Sequence, residues 1–193
     1  MRRTALRPEL AAAAGALLLA VAVSACGSTG PSASALDSSF LKTVHQGNLA
    51  EIAAGKDAQR KATGACTQKV GEVLVRDHTA LDAGAEKLAA QLHITLPKGP
   101  TTAQQQQLAQ IDEHAGTPAY DAQWLAAEAA GHQDTLTLID HEITAGRDPK
   151  VTAAARQARP VVARHLSLLR SCLASASPSA SPGVSSSSPG RNQ

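Results

Sequence analysis

Apolar residues recur every three or four positions through most of the chain, the spacing of a helix that buries one face. From about Asp37 to Lys61, Phe40, Val44, Gly47, Glu51, Ala54 and Ala58 share a face. From about Cys66 to Leu92 the stripe is Val70, Leu74, His78, Leu81, Ala85, Leu88 and Leu92. A third helix opens at Thr117-Pro118, a capping residue followed by proline at the first helical position. It stops near Gly146, a residue suited to a helix C-terminus, and its stripe is Leu125, Glu128, His132, Leu136 and Ile139. A fourth opens at Asp148-Pro149 and carries Val151, Ala154, Ala158, Val161, His165, Leu168 and Cys172. Pro160 inside it lacks a backbone donor and predicts a kink.

Four amphipathic helices of about 25 residues, each ~37 Å long, predict an all-α four-helix bundle. The connections near 62–65 and 145–148 are short, whereas His93 to Gly116 is long. That middle segment holds Pro97, Pro100 and a polar helical piece, Thr101 to His114. It is long enough to run the length of the bundle, so that helix three starts at the same end as helix two. This is the ferritin-like order, with one long crossover between helices two and three.

The first 25 residues follow a different pattern. Arg2, Arg3 and Arg7 precede an almost unbroken run of Ala, Leu and Val from Leu10 to Val23. The run is short for a membrane span, which needs ~20 residues. It reads as a secretory signal ending in Val23-Ser24-Ala25-Cys26, which resembles a bacterial lipobox. On that resemblance residues 1–25 are removed and Cys26 is lipidated, which anchors the protein outside the cytoplasmic membrane. Diacylglyceryl attachment at a lipobox cysteine supplies two chains, enough for stable anchoring. Arg2-Arg3 hints at twin-arginine export, but the following Thr-Ala-Leu suits the general secretory route better. Residues 26–36 read as a flexible tether, 37–174 as the helical domain, and 175–193, rich in Ser and Pro, as a disordered tail.

Cleavage changes the charge balance. From 18 basic and 16 acidic residues it takes Arg2, Arg3, Arg7 and Glu9, leaving fifteen of each. With no basic stripe and only Phe40, Tyr120 and Trp124 aromatic, nucleic-acid binding is excluded as a reading. The abundance of Ala and the excess of Arg over Lys suit a GC-rich genome such as an actinobacterial one.

Once Cys26 carries lipid, Cys66 and Cys172 remain. In an oxidising compartment they either pair or stay as small hydrophobes. Cys66 starts helix two and Cys172 ends helix four, so simple up-and-down order separates them beyond the ~7 Å that a disulfide spans. The crossover order brings them to one end. A bridge there would close a loop of about 105 residues, worth ~4–5 kcal/mol in the chain-entropy model.

Glu51, His78, Glu128, His132 and His165 interrupt the apolar stripes, at least one per helix and all near mid-height. Two chemistries fit. Converging carboxylates and imidazoles build metal centres inside helical bundles, and this donor set suits Fe, Cu or Zn. Alternatively, a hydrogen-bonded network fixes the register of the helices. Against a di-iron centre, Val75 and Val162 stand where Glu-x-x-His would need carboxylates. Asp77, next to His78, is a candidate to orient that ring. His45, His93, His114 and His141 lie off the stripes or in the crossover and are expected in solvent.

Residues 37–173 resemble the bacterial envelope family called domain of unknown function forty-one forty-two, which is ferritin-like. The resemblance is carried by Gln46-Gly47-Asn48-Leu49-Ala50-Glu51, Arg76-Asp77-His78 and Gly131-His132-Gln133-Asp134. Gly146-Arg147-Asp148-Pro149, Pro160 and His165-Leu166 continue it. Members usually carry Asp where this chain has Gly131, so no carboxylate is expected to orient His132 from there. The resemblance implies fold and location rather than an activity. The expected function is therefore a lipid-anchored envelope module, non-enzymatic, serving in structure, binding or stress protection. The alternative is a metal-binding or metal-oxidising protein that uses the mid-bundle Glu and His residues.

Overall fold

The computed structural model describes residues 33–176. The chain divides into residues 1–30 and 31–193, and the described residues all lie in the second part. The signal segment, Cys26 and most of the tether and tail fall outside the described residues. Those described form five helices and no strand: α1 (Ala35–Lys61), α2 (Ala65–Gln91), α3 (Thr102–Asp112), α4 (Pro118–Ala145) and α5 (Pro149–Ala176). None is long and apolar enough to cross a membrane.

Helix starts follow the local chemistry. Ser34 and Asp37 form a capping box, so α1 begins at Ala35, two residues inside the span expected to be tether. Thr117 caps α4 with Pro118 in the first turn, and Asp148 Oδ1 accepts from the backbone N–H groups of Lys150 and Val151 at the start of α5. α5 continues through Pro160 on its exposed side and reaches Ala176, two residues into the expected tail. The polar piece of the crossover is α3, closed at its start by a Thr101–Gln104 capping box.

α1 packs on α2, α4 on α5, α2 on α5 and α1 on α4, while α3 lies against α1 and α4. Side chains at the two ends fix the order. At one end Asp37 Oδ1 accepts from the backbone N–H groups of Arg147 (2.9 Å) and Asp148 (3.2 Å), tying the start of α1 to the α4–α5 turn. Burial would raise the Asp37 carboxyl, but hydrogen bonds from Ser34, Asp148 and Arg147 hold it well below the carboxylate range. At the other end Asp121 accepts from the backbone N–H groups of Thr63 (3.0 Å) and Gly64 (3.1 Å), so α4 begins beside the α1–α2 turn. Cys66 and Cys172 are joined there as a disulfide, Cα–Cα 5.8 Å. The crossover therefore runs from one end to the other, as the pairing requires.

The core lies between the helices in two apolar clusters. One centres on Leu74, Tyr120, Trp124, Leu125 and Leu169, the other on Phe40, Leu41, Ile139, Val151 and Val162. Tyr120 and Trp124 are fully buried. They fasten α4 to α1 through Tyr120 Oη to Asp57 Oδ2 (2.8 Å) and Trp124 Nε1 to the Ala54 carbonyl (3.1 Å). On α5 the buried line is Val151, Ala155, Val162, Leu166, Leu169 and Cys172. Ala154, Ala158, Val161 and Leu168, read as the centre of that face, flank it and stay half-buried.

Candidate metal centre

α2, α4 and α5 each carry one histidine into the middle of the core. His78 is 4 % exposed, His132 1 % and His165 0 %. Their ring centroids form a near-regular triangle with sides of 5.6, 5.2 and 5.4 Å. A ligand atom from each lies within 4.8 Å of those of the other two.

Each ring is held through one nitrogen. His78 Nδ1 donates to Asn48 Oδ1 on α1 at 2.9 Å. His132 Nδ1 donates to the backbone carbonyl of Glu128, one turn earlier, at 2.8 Å. His165 Nε2 donates to Asp77 Oδ2 on α2 at 2.8 Å. All three partners accept, so the bonded nitrogen must carry the hydrogen and the other must present a lone pair. Those others, His78 Nε2, His132 Nε2 and His165 Nδ1, are buried with no hydrogen-bond partner. Burial is the main cause that depresses all three basicities, that of His132 to about 4 and that of His78 well below its ordinary value. The rings are therefore neutral near pH 7, the form that binds a metal.

A model of the family described as "Domain of unknown function (DUF4142)" matches residues 24–171. The chain belongs to this family. No curated protein and no solved structure matches it. The matched span takes in all three histidines and the groups that hold them, so the triangle lies wholly within the DUF4142 domain.

Two carboxylates stand beside the triangle. Glu51 Oε1 is 3.7 Å from His132 Nδ1, the nitrogen already donating to the Glu128 carbonyl. Glu51, Glu128 and His132 form a second close group that shares only His132 with the first. Burial raises both carboxyls, and the neighbouring Glu128 raises Glu51 further. The five polar residues read from the stripes thus come together as two adjoining groups, a histidine triangle and a carboxyl pair.

Two cavities reach Glu51. One, about 300 Å³, lies under α3 and is lined by Glu51, Gln104, Leu108, Glu128 and Asp134 among others. The other, about 370 Å³, is mostly aliphatic and reaches Asn48, Glu51 and His78.

Three placements in the DUF4142 domain differ from the expectations above. Asp77 does not orient its neighbour His78. Successive helix positions point in different directions, and Asp77 reaches across to His165 while Asn48 holds His78. His45 is buried, not solvated: Nδ1 meets Asp82 Oδ1 at 2.8 Å and Nε2 the Pro97 carbonyl at 3.1 Å, which staples the crossover to α1 and α2. His114 is half-buried, whereas His93 and His141 are exposed as expected. Sequence reading also missed Asn48 and Glu142. Asn48 lies one helical turn from both Val44 and Glu51, a spacing that marks it as inward-facing. For Glu142, three residues after Ile139, the signal was the same.

Proposed function

We propose that this DUF4142 chain is a metal-binding protein of the cell envelope, whose ferritin-like four-helix bundle holds one transition-metal ion on His78, His132 and His165. One observation carries the reading: three buried imidazole nitrogens, each left with a lone pair by the partner of its sister nitrogen, have no protein partner, on rings whose ligand atoms come within 4.8 Å of one another. A register-fixing network would satisfy both nitrogens of a buried ring, because an unpaired buried polar atom costs ~1–3 kcal/mol. A bound ion accepts all three lone pairs at once. Asn48, the Glu128 carbonyl and Asp77 then play the part that outer partners play around metal-bound histidines, fixing tautomer and ring angle. His165 would ligate through Nδ1 and the other two through Nε2.

The lipobox ending at Cys26 supports placement outside the membrane on a lipid anchor. The role is binding rather than oxidation of a metal, since paired Glu-x-x-His motifs are absent from the sequence. Elemental analysis of the untagged protein, purified without chelator, is expected to find one transition-metal ion per chain. That ion should be lost in His132→Ala while the circular dichroism stays helical. Metal-free protein whose melting temperature no transition metal raises would sink the reading. Changing Cys26 to Ala is expected to release the protein from the membrane fraction.

A further inference from the structure

We infer that the ion is copper(I). The inference rests on the metal reading above and turns on charge and coordination number. The three ligands are neutral imidazoles, so the donor set carries no anion. The one carboxylate bonded to a ligand ring is Asp77, and it is shared: Arg76 Nε lies 2.7 Å from Oδ1, while Arg164 Nη2 and His165 Nε2 both reach Oδ2. Two guanidiniums on one carboxylate leave that side without net negative charge. Glu51 faces the Nδ1 side of His132, 3.7 Å away, and so is not placed to ligate an ion held on Nε2. Desolvation cost rises with the square of the charge, so a buried neutral set penalises a dication about four times as much as a monocation.

The coordination number points the same way. Zinc in proteins is almost always four-coordinate, and three-histidine zinc sites keep water in the fourth place. Here the three ligand nitrogens are all buried, and of the three rings only His78 borders a cavity described above. Its Nε2 is itself shielded from solvent, so a fourth, solvent-derived ligand has no open route to the three nitrogens. Copper(I) has a filled d shell and accepts trigonal coordination by three nitrogens, whereas copper(II) favours a square arrangement that a triangle cannot supply.

The test uses the full processed chain without a histidine tag. Anaerobic competition with a copper(I)-specific chromophoric chelator is run beside competition for zinc(II), and X-ray absorption is recorded on the copper-loaded protein. The expected result is one copper(I) per chain, bound at least about 100-fold more tightly than zinc(II). The absorption edge should be that of a three-coordinate, all-nitrogen site. His165→Ala should lose the copper, and Asp77→Asn, which keeps the fold but weakens the hold on His165, should bind it more weakly. Zinc(II) binding as tight as copper(I), or a four-coordinate spectrum, would overturn the copper assignment and leave the metal reading intact. Failure of every ion to bind the wild-type chain would overturn both.

Discussion

Asn48, the Glu128 carbonyl and Asp77 decide what the three imidazoles do, because each fixes which nitrogen keeps its hydrogen. Removing such a partner around a metal-bound histidine typically weakens the metal ~10–100-fold. Asn48→Ala is expected to lower affinity within that range with the helical content unchanged, as read by metal competition and circular dichroism. A second residue-scale prediction concerns Glu142, 1 % exposed beside Asp37 and Asp148. Burial first, then the neighbouring Asp37, pushes its carboxyl up to about 7. The folded state therefore holds a proton that the unfolded chain releases near its ordinary 4.5. Stability from this group falls as pH rises between those values, by on the order of 1–3 kcal/mol. Glu142→Gln should flatten that slope in denaturant titrations at pH 5 and 7.5, and an unchanged slope would exclude the role. The histidines themselves were legible, because an imidazole inside a Leu and Val stripe stands out. Their partners were not: Asp77 was assigned to the ring beside it in sequence, and only helix packing places it against one 88 residues away.

At the scale of elements, α1 and α2 approach backbone to backbone where Gly55 meets Gly71. A methyl group on Gly55 would lie 2.7 Å from the Gly71 carbonyl oxygen, and one on Gly71 2.8 Å from the Gly55 oxygen. Alanine would gain up to ~1 kcal/mol of helix propensity, but overpacking against rigid backbone costs ~1–3 kcal/mol. Gly71→Ala is therefore expected to be net destabilising by urea denaturation. Gly146 shows another reason for glycine. Its backbone is extended (φ −61°), so freedom to turn left-handed is not what it supplies. It supplies room, since a Cβ there would collide with Glu142 Oε1. Helix starts were read to within two residues because Ser, Thr, Asp and Pro signal them locally. The face of α5 was read slightly rotated, because Ala and Val occupy both its centre and its flanks and periodicity cannot rank them. His45 was misplaced because its burial depends on Asp82 and on the Pro97 carbonyl of the crossover. His45→Ala should speed amide exchange in residues 93–101 while leaving α4 and α5 protected.

For the molecule as a whole, the order of the helices followed from two cysteines and one long connection. Cys66 and Cys172 pair at the end where α2 begins and α5 finishes. Their replacement by alanine is expected to cost ~2–5 kcal/mol, measured by thermal denaturation with and without reductant. The bridge also bears on survival after proteolysis, since proteases act on loops. Lys98 is exposed in the crossover, between Cys66 and Cys172 in sequence. A cut after it leaves two fragments, one holding Cys66 and the other Cys172. They stay covalently linked, so a nicked chain keeps its histidine triangle assembled and migrates as two pieces only after reduction.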